Sequence, residues 1–100
     1  MEQRKYAFVL MGEEFDPARH QFRFATERGE TCLFTVRNFD EACRLAQRLQ
    51  QEGFGALELC GAFGEEKCRE LIERTGNRMA IGFSVHLPFQ DGLFDAFFGA

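Results

Sequence analysis

Glu58, Cys60 and His86 are the side chains of this 100-residue chain best suited to making and breaking bonds together. Side chains alternate across a strand. In "GALELCG" that puts Ala56, Glu58 and Cys60 on one side, and in "RMAIGFSVHL" it puts Ala80, Gly82, Ser84 and His86 on one side. With the two strands adjacent, the thiol and the imidazole share a face, with the carboxylate one pleat below. A free thiol is mostly protonated at neutral pH, and an adjacent imidazole can take its proton while a carboxylate orients the ring. The competing expectation is a small buried cysteine and a histidine hydrogen-bonded to a loop. The same three residues are chemically able to bind zinc, but no pair of the four cysteines has C-x-x-C spacing. No metal site and no cofactor is therefore assigned. His20, alone in a loop, reads as solvated.

The second feature is the turn in "ELCGAFGEEK", where Gly61 and Gly64 bracket Ala62 and Phe63. Backbone N–H groups at a helix start can cradle a phosphate. Here Glu65 and Glu66 follow at once, already compensating the helix dipole and repelling a dianion. Neither G-x-G-x-x-G nor a P-loop is present. A neutral or cationic small molecule suits this rim better. Ligands of parallel sheets bind beyond the carboxyl ends of the strands. The candidate ligand-binding residues are accordingly Gly12, Arg37, Asn38, Gly61 and Gly64.

These positions depend on the elements that carry them. "KYAFVLM" is a compact apolar run, expected as a buried strand. Asp16-Pro17 marks a turn, and "HQFRFATE" and "ETCLFTVR" alternate around Arg28-Gly29 as a hairpin. "NFDEACRLAQRLQQEG" predicts a helix with Asn38 as N-cap, Glu41 completing a capping box and Gly53 as the stop. Strand "GALELCG", helix "EEKCRELIERTG" and strand "RMAIGFSVHL" follow. After Pro88, "QDGLFDAFF" forms a short helix with Leu93, Phe94, Phe97 and Phe98 on one side.

The order β-β-β-α-β-α-β-α implies a single α/β domain over residues 1–100, with a mainly parallel sheet of about five strands and a hairpin. Helices are expected mostly on one face. A ferredoxin-like α+β dimer is the alternative. Phe15, Phe39, Phe63 and Phe89 recur at nearly equal spacing and could mark a repeated strand–turn–helix unit.

The two later strands each show a bulky apolar side, Leu57 and Leu59 or Ile81, Phe83, Val85 and Leu87, opposite a small or mixed side. Helices should cover the bulky side. The small side, with Ala56, Cys60, Ala80 and Gly82, suits a homo-oligomer contact or a pocket better than open water. The dense apolar end "LFDAFF" should likewise dock, on its own core or on a neighbouring subunit.

A net charge of −4 with scattered Lys and Arg excludes the clustered positive field that nucleic-acid binding needs. No segment approaches membrane-spanning length. The start "MEQRKYAFVLM" is too short for a signal peptide, and Cys32, Cys43 and Cys68 fall on apolar faces. The expected location is the reducing cytoplasm.

The segments "YAFVLMG", "ELCGAFGEE" and "VHLPFQD" are the most specific part of a likeness that extends over nearly the whole chain. Through them the sequence resembles a family of small bacterial proteins of unknown function. The resemblance implies a small cytoplasmic α/β protein and carries no catalytic or binding residue with it. Two functions stand: a small-molecule-binding or minor enzymatic domain with its site at the carboxyl edge, or a non-catalytic homo-oligomeric interaction module.

Overall fold

The computed structural model describes residues 4–99. Residues 1–3 and 100 lie outside the described residues. The strands are β1 (Arg4–Met11), β2 (Phe22–Thr26), β3 (Gly29–Val36), β4 (Ala56–Leu59) and β5 (Ala80–Phe83). The helices are α1 (Phe39–Gln51), α2 (Gly64–Arg74) and α3 (Asp91–Phe98), the last preceded by a 3-10 turn at Pro88–Gln90. The element order is the one expected from the sequence.

The five strands form one sheet in the order β2-β3-β1-β4-β5. β1 lies in the middle and runs parallel to β3 and β4, β4 runs parallel to β5, and only β2 is antiparallel. The ferredoxin-like alternative, an antiparallel sheet, is therefore not the one formed. Crossovers from β3 to β4 and from β4 to β5 move in one direction, so right-handedness places α1 and α2 on the same side.

That side is the core. Val9, Phe34, Leu57, Leu59, Leu49 and Leu71 are buried there together with Cys32, Cys43 and Cys68. The three thiols behave as small apolar groups, and burial pushes their pKa values up. Thr75, buried with them, donates its hydroxyl to Leu71 O at 2.8 Å, so its polar atom is satisfied.

Local chemistry accounts for the element ends. Asn38 Oδ1 accepts from the Glu41 N–H at 2.9 Å and starts α1. The Glu41 carboxylate does not return to Asn38 as a capping box would. It accepts from the Arg37 N–H at 2.7 Å and from the Arg37 guanidinium at 2.7 Å. Gly53 and Gly76 adopt left-handed backbone, φ 91° and 70°, just after α1 and α2. Gly29 opens β3 where β1 begins, and an added Cβ would meet Arg4 O at 1.9 Å. Only glycine permits that approach.

Two further expectations are corrected. The last strand does not reach Leu87: pairing ends where the Ser84 N–H donates to Leu59 O at 2.8 Å. β4 stops at Leu59, so Val85 and Leu87 have no neighbour to pair with and leave the sheet exposed. The four spaced phenylalanines are also not equivalent. Phe63 is buried and Phe39 packs on the core, both at helix starts. Phe15 precedes a strand, and Phe89 is exposed on the 3-10 turn.

Candidate functional site

The sheet places its named residues in three separate settings. At the carboxyl end of β4, the Cys60 N–H donates to Val9 O at 3.0 Å, and the Cys60 sulfur accepts from the Met11 N–H at 3.4 Å. This half-buried thiol bridges the ends of β1 and β4. Glu58 sits on the side away from the helices and accepts from the Tyr6 hydroxyl at 3.0 Å. Burial first, and Glu58 second, raise the Tyr6 pKa.

His86 stands elsewhere. Because β5 ends at Phe83, His86 belongs to the segment leaving the sheet. Its Nε2 lies 2.6 Å from Asp91 Oδ1, and its ring stacks on Phe94 at 4.1 Å between centroids. Among the described residues no hydrogen bond joins His86 to Cys60 or Glu58. His20 closes its own turn: Nδ1 accepts from the Asp16 N–H at 2.8 Å, and its carbonyl accepts from the buried Thr35 hydroxyl at 2.7 Å. Among the described residues no three His, Cys, Asp or Glu side chains are grouped to hold a metal ion.

Gly61 and Gly64 shape the turn into α2. The Phe63 N–H donates to Cys60 O at 3.1 Å, and Gly64 takes φ 76°. Glu65, in the first turn, pairs with Arg69 at 2.6 Å. Its charge thus lies on the helix flank, supporting the helix start that the sequence suggested.

Arg37 borders a cleft of about 510 Å³ between α1 and the loop after β1. Arg44, Arg48, Glu41, Asp16 and Phe34 also line it. Arg37 is held by Glu41, and Arg48 lies 3.5 Å from Glu52. Arg44 has no ion pair among the described residues. Sequence reasoning missed Arg44 and Arg48, although their i, i+4 spacing puts both on one face of α1, whose start Arg37 precedes. A larger hollow, about 840 Å³, runs along the solvent side of α2. Its lining includes Arg69 and Arg74, which already pair with Glu65 and Glu70. The smaller cleft lies at the carboxyl end of β3.

The largest feature is the sheet face opposite the helices. Cross-strand register lines up Phe22, Leu33, Phe8, Glu58 and Gly82 in one row and Phe24, Thr31, Tyr6, Ala56 and Ala80 in the next. The expected small-residue face is thus only half right. It is small over β4 and β5, but β2, β3 and β1 present aromatic and aliphatic side chains on the same side. Phe22 and Phe24 are 64% and 51% exposed, far more than a core phenylalanine. No helix among the described residues is long and apolar enough to cross a membrane.

A family model described as a family of unknown function (DUF6506) matches residues 4–99. No curated protein and no solved structure matches the chain at a significant level.

Proposed function

The chain belongs to DUF6506, a family of unknown function, and from that premise we propose that it acts as a homo-oligomeric interaction module. The open sheet face is its contact surface, and that face's exposed apolar half carries the proposal. Water-facing Phe22, Phe24 and Leu33, continuous with Phe8 and Tyr6, form a patch of the kind that marks an interaction site. The adjoining strip of Ala56, Ala80 and Gly82 supplies the shape contrast that a self-complementary contact needs. Four free thiols, three of them buried, suit a reducing compartment such as the cytoplasm.

Size-exclusion chromatography with light scattering tests this. The expected mass is a multiple of the 11.5 kDa chain, and a particle of 11.5 kDa at micromolar concentration overturns the proposal.

A second function is supported by the cleft at Arg37. Its volume lies within the range of small-molecule sites, about 300–1,000 Å³. Arg44, without an ion pair among the described residues, would favour an anionic ligand. The cleft is lined by Arg37 alone of the sequence-chosen edge residues, with Gly12, Asn38, Gly61 and Gly64 outside its lining. Isothermal calorimetry with small carboxylates and phosphates, on the native chain and Arg44→Ala, checks it. Equal heats for both proteins would remove Arg44 from the site.

A further inference from the structure

The segment after β5 is as exposed as the sheet face, and by the same kind of residue. Val85, Leu87, Phe89, Leu93, Phe97 and Phe98 are between 63% and 82% exposed. Every residue of α3 faces solvent. Phe94 stacks on His86 and Phe98 meets Phe97 edge-on at 4.9 Å, so the segment holds its own local shape. It does not fold back on the core. Leu87 is extended, with φ −68° and ψ 143°, as a residue before proline must be, and Pro88 starts the turn into α3. The protein consequently measures 45 × 27 × 25 Å. Its radius of gyration, 14.2 Å, exceeds the roughly 13 Å usual for a compact chain of this length. One protomer therefore carries an uncovered apolar arm and an uncovered apolar face.

We infer that the arm, Val85–Phe98, is exchanged between two copies of this chain, so that each α3 lies on the open face of the partner protomer. The inference rests on the interaction-module proposal and adds the occupant of the β4–β5 part of the face, with Phe22, Phe24 and Leu33 lying beyond it on β2 and β3. Dimensions favour it. A helix of eight residues is about 12 Å long and about 10 Å wide. The strip made by β4 and β5 is two strands wide, about 10 Å, and four residues long, about 13 Å.

That strip is where the face steps down to Ala56, Ala80 and Gly82 around the Glu58 carboxylate, which the Tyr6 hydroxyl ties back toward the wall of Phe8 and Tyr6. A Cβ added at Gly82 would meet no atom within 4 Å, so there is room above the strand. The apolar side of α3 carries Leu93, Phe94, Phe97 and Phe98, and Asp91 and Asp95 occupy the other side. Seated on the strip, the helix buries the first group and leaves the acids in water.

The area is sufficient. Large apolar side chains bury about 150–250 Å² each when fully covered. About half cover of Leu93, Phe94, Phe97 and Phe98, roughly 100 Å² each, removes about 800 Å² over two arms, and a like area from the two strips with Phe8 and Tyr6 beside them brings the total to about 1,600 Å². Stable pairs bury about 1,200–2,000 Å² in total. Two identical arm-on-face contacts related by a twofold axis close the assembly at a dimer, as in domain-swapped pairs.

Complementation tests the exchange. An arm variant combines Phe97→Ser with Phe98→Ser, and a face variant carries Gly82→Phe. All three positions lack buried packing, and circular dichroism verifies that each variant folds. Ala80→Phe, at an exposed position on the same strip, is a second face variant. Light scattering should give a dimer for the native chain and a monomer for each variant alone. An equimolar mixture should recover a heterodimer, because one arm and one face remain intact in it. A dimeric arm variant, or a mixture that stays monomeric, overturns the exchange while leaving the interaction module standing. A monomeric native chain overturns both.

Discussion

The two sides of one sheet differ more than any other two regions of the molecule. On the helix side, Val9, Leu57 and Leu59 alternate inward from the strands and meet Leu49 and Leu71 from α1 and α2. On the other side, Phe22, Phe24 and Leu33 alternate outward from the same sheet and meet water. Side-chain type does not separate them. The direction of the crossovers does, because two right-handed connections running the same way bring both helices to one side. The helix side holds the protomer together, and the open side is free to serve something outside it.

Substitutions on the two sides can break that contrast. Leu71→Ala or Leu49→Ala should show the largest effect, about 2–5 kcal/mol by urea unfolding, since both are fully buried and leave a cavity. A loss under about 1 kcal/mol would mean the helix side is not where stability resides. Asn38→Ala removes the cap that orients α1 over the sheet and should cost about 1 kcal/mol. Phe22→Ser should change protomer stability by no more than about 0.5 kcal/mol while lowering the oligomer fraction. An equal loss of fold and assembly would erase the distinction between the sides.

Two pH effects are smaller. Hydrogen bonding to Arg37 holds the Glu41 carboxyl below its ordinary value. Its pairing therefore favours the fold at neutral pH, and this contribution is lost as pH falls through the depressed value. Glu41→Gln should flatten the acid limb of a stability profile. Burial raises the Cys32, Cys43 and Cys68 thiols, so their contribution is complete below the ordinary thiol value and declines as pH rises above about 8.5. An alkaline limb unchanged after Cys43→Ala would argue against that source.

Periodicity made the helices and most strands legible in sequence. Apolar residues at helical spacing in α1 and alternation in β3 are local signals, as are Asn38, Gly53 and Gly76 at the ends. The end of β5 was not local. It depends on β4 stopping at Leu59, a property of a neighbour. His86 was misplaced onto a strand for that reason, and its meeting with Asp91 and Phe94 follows from the chain's departure. The size gradient across the open face was hidden similarly. Alternation alone shows Phe22 and Phe24 on one side of β2, but which side of the sheet that is depends on the order β2-β3-β1-β4-β5. For the candidate cleft, Arg37 was legible from its place after β3, whereas Arg44 required reading the helix face beyond it.

The central place of β1 has a kinetic consequence. Its partners are β3 and β4, with Arg4 opposite Gly29 and Tyr6 opposite Ala56. Much of the loop-closure entropy must be spent before the middle of the sheet exists, and only the β2–β3 hairpin can form from near neighbours. Refolding should therefore be slower than in a helical bundle of this length, on the order of milliseconds to seconds. The segment beyond Ser84 takes no part in those closures. A chain ending there should refold at the rate of the full-length chain, so that acquiring the fold and acquiring a partner are separate events in time.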